Sequence, residues 1–410
     1  MNKPLTWEDV YNLLRSILLF ISRGQYLADE ARVFASHGAA GRKDTAGYAA
    51  RFFGLEDAVA ERLSACPDFR RWADIVFDSL CDGRPHTFNF STSGSTGVPR
   101  HWPFTVEELE QEAQTLAPFF ADRRRVVSVM PLHHVFGFAF ALMLPKELDI
   151  PVLFMPPLPT ANFFRELRSG DMVLGFPLFW KSVLGACTGD TAFSCPPDLH
   201  GVTSAAPCPP ELIEELSRVE PAIVSGMTEI YGATEFGAVG IRRDCRGPYA
   251  LLGHFSRVSL GRAPDAARET APEWGIKRLG GKPQPLPDEV EWLSGRDFLP
   301  VRRKDTAVQV GGRNVFPSLV ADLLSLHPKV RECAVRLMRP EEGTRLKAFV
   351  VLTDAAFAGP ETAGALKEWL HRKLYPEEVP RAIRFGGELP RTLSGKSADW
   401  DISDKDGETG

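Results

Sequence analysis

The chain has 410 residues, of which 44% are hydrophobic and 25% are charged. This composition is typical of a globular protein, and at about 100 to 200 residues per domain the length is enough for two or three domains. Disordered, collagenous and coiled-coil classes are excluded on composition. A formal net charge of −5 provides no basic field for a nucleic acid or an anionic membrane, so we expect neither as a partner.

The cysteine content bears on the compartment. The seven cysteines form no CxxC pair. An odd number of cysteines, in a chain where we find no signal peptide, is typical of free thiols in a reducing compartment and predicts a cytoplasmic protein. The most apolar run near the start, residues 17–21, is far shorter than the roughly 20 residues that cross a bilayer. We therefore expect no membrane span.

The first part of the chain, residues 6–80, has apolar residues at helical spacing and predicts a string of amphipathic helices, with a break at residues 38–41. A strand-like run follows at residues 87–90, and then a stretch of small residues at 91–99. Thr105 and the acidic residues after it open a predicted helix that reaches about Phe120. The predicted order here is strand, glycine loop, helix.

Four short apolar runs come next, separated by helical stretches, and this alternation predicts an α/β domain with a largely parallel sheet. The runs are residues 126–130, 152–155, 172–176 and 222–225. Between Arg243 and Pro287 frequent Gly and Pro indicate turns and short strands.

The last third of the chain predicts a hairpin and then a separate small α+β domain. The hairpin strands are residues 289–293 and 298–302; the predicted helices are 318–325 and 363–374, and the predicted strands are 332–337 and 346–352. We expect three regions: a helical N-terminal region of the large domain (1–87), the core of the large domain (88–304) and a C-terminal domain (305–410).

Two stretches carry residue types suited to a nucleotide. Ser91–Arg100 holds several hydroxyls and two glycines, which suits a loop that wraps a polyphosphate, although GxxxxGK[ST] cannot be aligned with it. Alone, such a stretch would be more typical of a flexible linker. Glu229–Gly237 places an aromatic ring, a hydroxyl and a carboxylate within five positions. These groups can stack on a base, bind a phosphate and bind a metal ion, respectively.

In this order and spacing, the two stretches resemble motifs of the acyl-adenylate-forming superfamily, which comprises acyl- and aryl-CoA ligases, firefly luciferases and nonribosomal peptide adenylation domains. Further stretches support the resemblance, which runs from about Phe88 to Trp400. They are Met130–Gly137, Thr203–Pro207, Arg303–Asp305 with Val310–Pro317, and Leu389–Lys396. The resemblance implies an α/β protein whose large N-terminal domain has mostly parallel sheets flanked by helices, with a small mobile α+β C-terminal domain.

The resemblance implies an ATP-dependent acid–thiol ligase. A carboxylate would attack the α-phosphorus of ATP, and Mg-pyrophosphate would leave. The C-terminal domain would then turn about Asp305, and a thiol would accept the acyl group. The implied cofactors are ATP and Mg²⁺. The implied partners are an aryl or fatty carboxylic acid and either CoA or the phosphopantetheine of an acyl carrier protein.

The resemblance also assigns roles to single residues on the nucleotide side. Thr234 would bind the α-phosphate, Glu235 the magnesium ion, and Tyr231, followed by Gly232, would stack on adenine. Lys396 would bridge the substrate carboxylate and the α-phosphate. The loop residues that would cradle the β- and γ-phosphates are Thr92, Ser93, Gly94, Ser95, Thr96 and Gly97.

Two departures from the family pattern concern ATP. The phosphate loop ends in Arg100 where the family usually has lysine, which keeps a cation with different geometry and hydration. The family's Thr-Gly-Asp string, whose aspartate holds the ribose, does not occur in the stretch before Arg303; the Thr-Gly-Asp at residues 188–190 lies far earlier in the chain. Asp297 lies six residues before Arg303 and Asp288 lies fifteen before it; we choose Asp288, because that distance accommodates a strand, a turn and a strand. Asp288 and Arg303 would then hold the ribose.

The acid pocket is implied at His134, Phe136, Ser204, Ala205 and Ala206. Amino-acid-activating relatives have an aspartate where this chain has His134, so we expect an acid without an α-amino group. Phe136 and Phe138 would suit an aromatic or alkyl pocket, although aromatic residues at alternate strand positions are also typical of plain core. We favour an aryl acid over a fatty acid. The alternatives are an enzyme that stops at the acyl-adenylate and a catalytically idle nucleotide-binding regulator.

Overall fold

The structure, a computed structural model, describes residues 5–22, 30–81, 87–92, 100–189, 193–205, 207–261, 273–303, 308–310, 313–315, 317–339, 341–374, 376, 378–391 and 398–402. The chain divides into two compact units. The first is Met1–Pro285 with Trp292–Leu299, and the second is Leu286–Glu291 with Pro300–Gly410. The predicted boundary at residue 305 lies outside the described residues and stays a prediction.

The α-helices of the described residues are α1 (Trp7–Ile21), α2 (Glu30–Ser36), α3 (Gly38–Phe52), α4 (Asp57–Ala65), α5 (Phe69–Leu80), α6 (Val106–Leu116), α7 (Val135–Phe138), α8 (Leu144–Leu148), α9 (Ala161–Glu166), α10 (Pro177–Thr188), α11 (Pro210–Arg218), α12 (Pro317–Ser325) and α13 (Pro360–His371). A π-helical stretch, Ala139–Met143, joins α7 to α8, and short 3₁₀ turns occur at Ala117–Phe119 and Ala355–Phe357.

The strands are β1 (Thr87–Thr92), β2 (Arg100–Thr105), β3 (Arg125–Ser128), β4 (Val152–Phe154), β5 (Asp171–Gly175), β6 (His200–Thr203), β7 (Gly226–Ala233), β8 (Gly237–Arg242), β9 (Tyr249–Leu251), β10 (Phe255–Gly261), β11 (Glu273–Arg278), β12 (Pro283–Gln284), β13 (Asp288–Trp292), β14 (Asp297–Arg303), β15 (Val308–Val310), β16 (Arg313–Val315), β17 (Val330–Leu337), β18 (Leu346–Leu352) and β19 (Ala382–Phe385).

Helices α1 to α5 form the N-terminal region, as the apolar spacing predicts. In α1 the side chains of Leu13, Leu14 and Ile17 are buried at helical spacing, and Thr6 caps the helix through a capping box with Asp9. The predicted break at residues 38–41 is confirmed at its first residue, since α2 ends at Ser36. The chain turns at the left-handed Gly38, and α3 begins there and continues through the following glycine.

The central sheet has the order β13-β14-β9-β8-β7-β6-β5-β3-β4. The pairing is parallel along β4-β3-β5-β6-β7. From β7 onward it is antiparallel: β7 with β8, β8 with β9, and β9 with β14. Alternate residues face opposite cores: Val126 packs with the N-terminal helices, and Val127 packs with α9 to α11. A sheet buried on both faces explains why consecutive residues in the middle of β3 and β5 are apolar.

One predicted strand, residues 222–225, is wrong. The backbone N–H groups of Ile223 and Val224 both donate to the carbonyl oxygen of Leu216, at 3.0 and 3.3 Å, so this buried run completes the end of α11 instead of joining the sheet. The strand of the sheet begins after it, at β7. Strand β6, before α11, was not predicted.

The region of the predicted glycine loop is a hairpin. Strands β1 and β2 are antiparallel, with Thr92 opposite Arg100, so residues 93–99, which lie outside the described residues, join two strands. The predicted order of strand, loop and helix therefore lacked β2. Helix α6 follows β2 directly and begins with a capping box, in which Thr105 Oγ accepts from the Glu108 N–H at 3.2 Å.

The second unit contains the sheet β17-β18-β19 with α12 and α13, which is the predicted small α+β architecture. Its core includes Val320, Leu324, Leu346 and Leu366. The predicted fold class is confirmed by these elements. Within the part of the chain that the structure describes, no helix is both long and apolar enough to span a bilayer.

Candidate active site

Several of the predicted site residues follow strands that run parallel to one another. His134 follows β3, Ser204 and Ala205 follow β6, and Thr234 and Glu235 follow β7. Because β3, β5, β6 and β7 are parallel neighbours, their carboxyl ends lie at one edge of the sheet. The structure therefore brings these five residues to the edge at which open α/β sheets bind ligands.

Thr234 and Glu235 form the turn of the β7–β8 hairpin. Ala233 pairs with Gly237, and the Phe236 N–H donates to the Ala233 carbonyl oxygen at 3.0 Å. Both predicted ligands are half-buried at this turn. Gly237 has a left-handed backbone with φ of +72°, which favours glycine. The turn therefore presents a hydroxyl and a carboxylate side by side.

Tyr231 lies on β7, three residues before the turn, with its ring half-buried. Its ring centroid is 5.8 Å from that of Tyr249 and 5.3 Å from that of Phe298. Two residues earlier on β7, the buried Glu229 carboxylate pairs with Arg242 Nε at 2.6 Å. The Arg242 guanidinium carbon lies 4.4 Å from the Tyr249 ring centroid. The aromatic contacts hold the ring that we predict to stack on adenine.

A buried carboxylate lies against the turn. Glu112 of α6 is 1% exposed, and its Oε1 accepts from the Ala238 N–H at 2.9 Å. Arg278 Nη2 lies 3.8 Å from Glu112 Oε2 and donates to the Phe236 carbonyl oxygen. Burial raises the pKa of Glu112 to about 7, and the Arg278 guanidinium acts in the opposite direction.

Sequence reasoning missed Glu112 and Arg278. The signal for Glu112 is its position: it lies three residues after Leu109 and directly before Ala113, on the apolar stripe of α6. A charged residue on that stripe indicates a buried polar contact. No local pattern marks Arg278, because its partners lie on distant segments.

On the acid side, His134 is the N-cap residue of α7. Its N–H donates to the Pro131 carbonyl oxygen at 3.2 Å, and its own carbonyl oxygen accepts from the Phe138 N–H at 2.8 Å. Phe136 and Phe138 are therefore on a helix, not at alternate strand positions. Phe136 is buried against Phe140, with ring centroids 4.8 Å apart. Its role in the pocket stays a prediction.

The N-terminal region supports the loop that carries His134. Ser16 Oγ of α1 accepts from the Leu132 N–H at 2.9 Å and lies 2.8 Å from Nδ1 of the buried His133. The His133 ring centroid is 4.8 Å from that of Phe20 and 6.1 Å from that of Tyr48. Helices α1 and α3 therefore contact the predicted acid side directly.

The segment after β6 is also anchored. Ser204 is buried and its Oγ donates to the Ile230 carbonyl oxygen on β7 at 2.9 Å. Ala205 is exposed with φ of +73°, and Ala206 lies outside the described residues.

All seven cysteines are free thiols, as expected. Burial raises the pKa of the Cys208 thiol to about 12, so this residue is a protonated core side chain and not a nucleophile.

The remaining predicted residues have less structural context. Thr92 ends β1 opposite the exposed Arg100. Asp288 begins β13 and Arg303 ends β14, while Asp297 Oδ2 accepts from Ser294 Oγ at 2.9 Å at the turn between the two strands. Outside the described residues lie Ser93, Gly94, Ser95, Thr96, Gly97, Asp305 and Lys396, as well as the side chains of Thr92 and Arg303. All of these roles stay predictions.

Two parts of the chain match a known family. Residues 86–261 match the AMP-binding enzyme family, and residues 320–396 match the AMP-binding enzyme C-terminal domain. A 4-coumarate–CoA ligase from Halorhodospira halophila is 34% identical, over 96% of this chain and 99% of the relative. Another from Cereibacter sphaeroides is 33% identical, over 86% of this chain and 80% of the relative.

A solved structure shows the same fold. An ATP-bound MatB from Rhodopseudomonas palustris superposes with a TM-score of 0.63, over 95% of this chain and 90% of that protein. Only 16% of the residues are identical, so this similarity concerns the fold alone.

The raised pKa of Glu112 predicts a pH-dependent stability. The folded state favours the protonated carboxyl, so this contribution is fully present below the ordinary pKa of 4.5 and is lost as the pH rises through about 7. Between pH 5 and pH 8, the unfolding free energy of wild type should therefore fall by about 2 kcal/mol relative to that of Glu112→Gln, which lacks the titrating group. Equilibrium urea unfolding at both pH values measures this.

The matched control is Glu107→Gln, on the exposed side of the same helix. Its pH dependence should follow that of wild type. A difference between Glu112→Gln and wild type that stays constant from pH 5 to pH 8 would show that Glu112 titrates normally.

Proposed function

The chain belongs to the AMP-binding enzyme family, the acyl-adenylate-forming superfamily, and from this we propose that it adenylates an aryl carboxylate with ATP and transfers the acyl group to CoA. The prediction of the family is confirmed, and so is the prediction that the protein is an AMP-forming ligase. The observation that carries the proposal is the match over nearly the whole length to ligases named for 4-coumarate and CoA.

The choice of CoA over a carrier protein rests on these relatives. The two 4-coumarate ligases described above, which match over most of this chain, are both named for CoA. The experiment below distinguishes CoA from a carrier protein as the acceptor. Both present the same reactive thiol, but it belongs to a small molecule in one case and to a protein in the other.

Adenylation requires positioning and charge neutralisation more than a covalent nucleophile. In the proposed reaction the Thr234 hydroxyl would donate a hydrogen bond to the α-phosphate, and Glu235 would hold Mg²⁺, which would neutralise phosphate charge. Within the described ranges, no three His, Cys, Asp or Glu side chains gather into a metal site. A single carboxylate suits this ion, which is usually held by one or two carboxylates and the substrate phosphates.

The acid is proposed to be an aryl acid of the hydroxycinnamate class. His134 lies at the carboxyl edge of the sheet, where it offers no anion to an α-ammonium group, whose burial without a partner is costly. The name 4-coumarate–CoA ligase for the relatives supports the aryl choice over a fatty acid. Ser204 Oγ donates to the Ile230 carbonyl oxygen, which ties the segment after β6 to β7 at the same edge of the sheet.

The main test is a panel of acids in a pyrophosphate-release assay. We expect 4-coumarate or cinnamate to give the highest kcat/KM, and 3-phenylpropanoate to exceed phenylalanine by about 100-fold or more. The last two acids differ only in the α-ammonium group. Phenylalanine as the best substrate would contradict the His134 argument, whereas a medium-chain fatty acid as the best substrate would remove only the aryl preference.

The acceptor is tested in the same panel. With the best acid, CoA and an acyl carrier protein that bears phosphopantetheine are added in separate reactions, and mass spectrometry detects any thioester. We expect CoA to be acylated; a thioester on the carrier protein alone would favour the carrier protein as acceptor. Formation of the adenylate without any thioester would favour an enzyme that stops at the adenylate. ATP binding with no pyrophosphate release from any acid would favour the idle regulator.

Lys396→Ala should lower acid-dependent pyrophosphate release by at least about 100-fold, because the ammonium would act on charge that develops in the transition state. ATP affinity and the urea-unfolding transition should stay near wild type. Arg391→Ala, a few residues earlier and exposed, is the matched control and should retain activity. If Lys396→Ala releases pyrophosphate at a rate within a few-fold of wild type, Lys396 is not the catalytic lysine.

Asp288→Ala should weaken ATP binding more than Asp297→Ala. Asp288 begins β13, so the hairpin returns the chain to Arg303, whereas Asp297 is engaged by Ser294 at the turn. Calorimetric titration with ATP compares the two variants. An unchanged affinity in Asp288→Ala with a large loss in Asp297→Ala would reverse the choice.

A further inference from the structure

We propose that Glu112 and Arg278 are positioning residues that hold the turn of Thr234 and Glu235 in the geometry that adenylation requires. The inference rests on the proposed function, in which this turn binds the α-phosphate and Mg²⁺. Neither residue is assigned a role by the sequence motifs. Both act through the backbone of the turn and not through the substrate.

Glu112 holds the strand that leaves the turn. Its Oε1 accepts from the Ala238 N–H at 2.9 Å, and a methyl group added at Gly237 would overlap its Oε2. The carboxylate therefore occupies the space that a side chain at position 237 would take. A shorter residue at position 112 would leave the Ala238 N–H without this acceptor and the turn without its support.

Arg278 holds the other side of the turn. It donates through Nη2 to the Phe236 carbonyl oxygen and through Nη1 to the Glu108 carbonyl oxygen, the latter at 3.3 Å. Its guanidinium carbon lies 4.7 Å from the Phe255 ring centroid, and its side chain is 8% exposed. The planar guanidinium group of Arg278 thus links the backbone of the turn to the backbone of α6.

Helix α6 connects these contacts to the β1–β2 hairpin. It begins immediately after β2, whose first residue pairs with Thr92 on β1. The hairpin that flanks the predicted phosphate loop and the turn of Glu235 are therefore supported by one helix. Glu112 on the buried face of that helix couples the two.

A buried carboxylate at this place is costly for folding. Burial raises its pKa to about 7, which shows that the environment disfavours the charged form. Apolar residues of similar volume often replace buried ionic pairs without loss of stability. The polar contacts of Glu112 instead specify the position of one turn, which is what a site for phosphate and metal needs.

The chain offers a matched control for loss of stability. Asp171 is also 1% exposed and also pairs with an arginine: Arg125 Nε and Nη2 lie 2.9 and 2.7 Å from its oxygens. This pair is at the amino ends of β3 and β5, the opposite end of the strands from the candidate site. Asp171→Ala should therefore destabilise the same unit without moving the turn.

The experiment compares Glu112→Ala, Glu112→Gln, Arg278→Met and Asp171→Ala in the full chain. ATP–pyrophosphate exchange with the best acid gives kcat and the KM values for ATP, Mg²⁺ and acid, each normalised to the folded fraction. We expect Glu112→Ala and Arg278→Met to raise the Mg²⁺ or ATP KM, or to lower kcat, by about 10-fold or more. The KM of the acid should change little. Glu112→Gln should recover to within about 3-fold of wild type, because the amide oxygen can still accept from Ala238.

Asp171→Ala, by contrast, should lose stability but keep its normalised kinetic constants. Normalised constants of Glu112→Ala equal to those of Asp171→Ala would overturn the inference, as would an equal rise in every KM. If wild type shows no exchange with any acid, the proposed function has failed. The inference is then decided by calorimetry with Mg-ATP: an affinity for Glu112→Ala within 3-fold of that for Asp171→Ala overturns it, and a loss of about 10-fold supports it.

Discussion

The site depends on the parallel register of β4, β3, β5, β6 and β7. Parallel strands require crossover connections, so every segment that leaves a carboxyl end emerges at the same edge of the sheet. The reversal to antiparallel pairing at β8 ends this series with a tight hairpin. Its turn therefore stays at the edge, next to the segment that follows β6, instead of returning over the sheet as a helix.

That hairpin shows how a site can oppose stability. A methyl group at Gly232 would overlap the Gly237 carbonyl oxygen, so two glycines allow the strands to close tightly. Glycine loses more conformational entropy on folding than any other residue, and the buried Glu112 adds the desolvation of a carboxyl group. Both features oppose folding, and both set the position of the turn. Stability is recovered in the apolar layers on the two faces of the sheet.

The sequence was informative where the pattern is local and less so where partners are distant. The alternation of apolar runs predicted β3, β4 and β5, and the ordered motifs predicted the family. The run at 222–225 was misread, because buried apolar residues look the same whether their N–H groups join a sheet or, as at Ile223, the end of a helix. Glu112 could have been suspected from its place on an apolar stripe, but Arg278 could not, since no spacing connects it to Phe236.

The two halves of the proposed chemistry rest on different parts of the first unit. The turn of Thr234 and Glu235, which is predicted to bind the nucleotide, is supported by α6 and Arg278, within and just beyond the family match. The loop of His134 is supported by Ser16, Phe20 and Tyr48, which precede that match. Ser16 accepts from the Leu132 N–H, so α1 holds the backbone two residues before His134. The helical region that precedes the family match is therefore part of the support of the loop that carries His134.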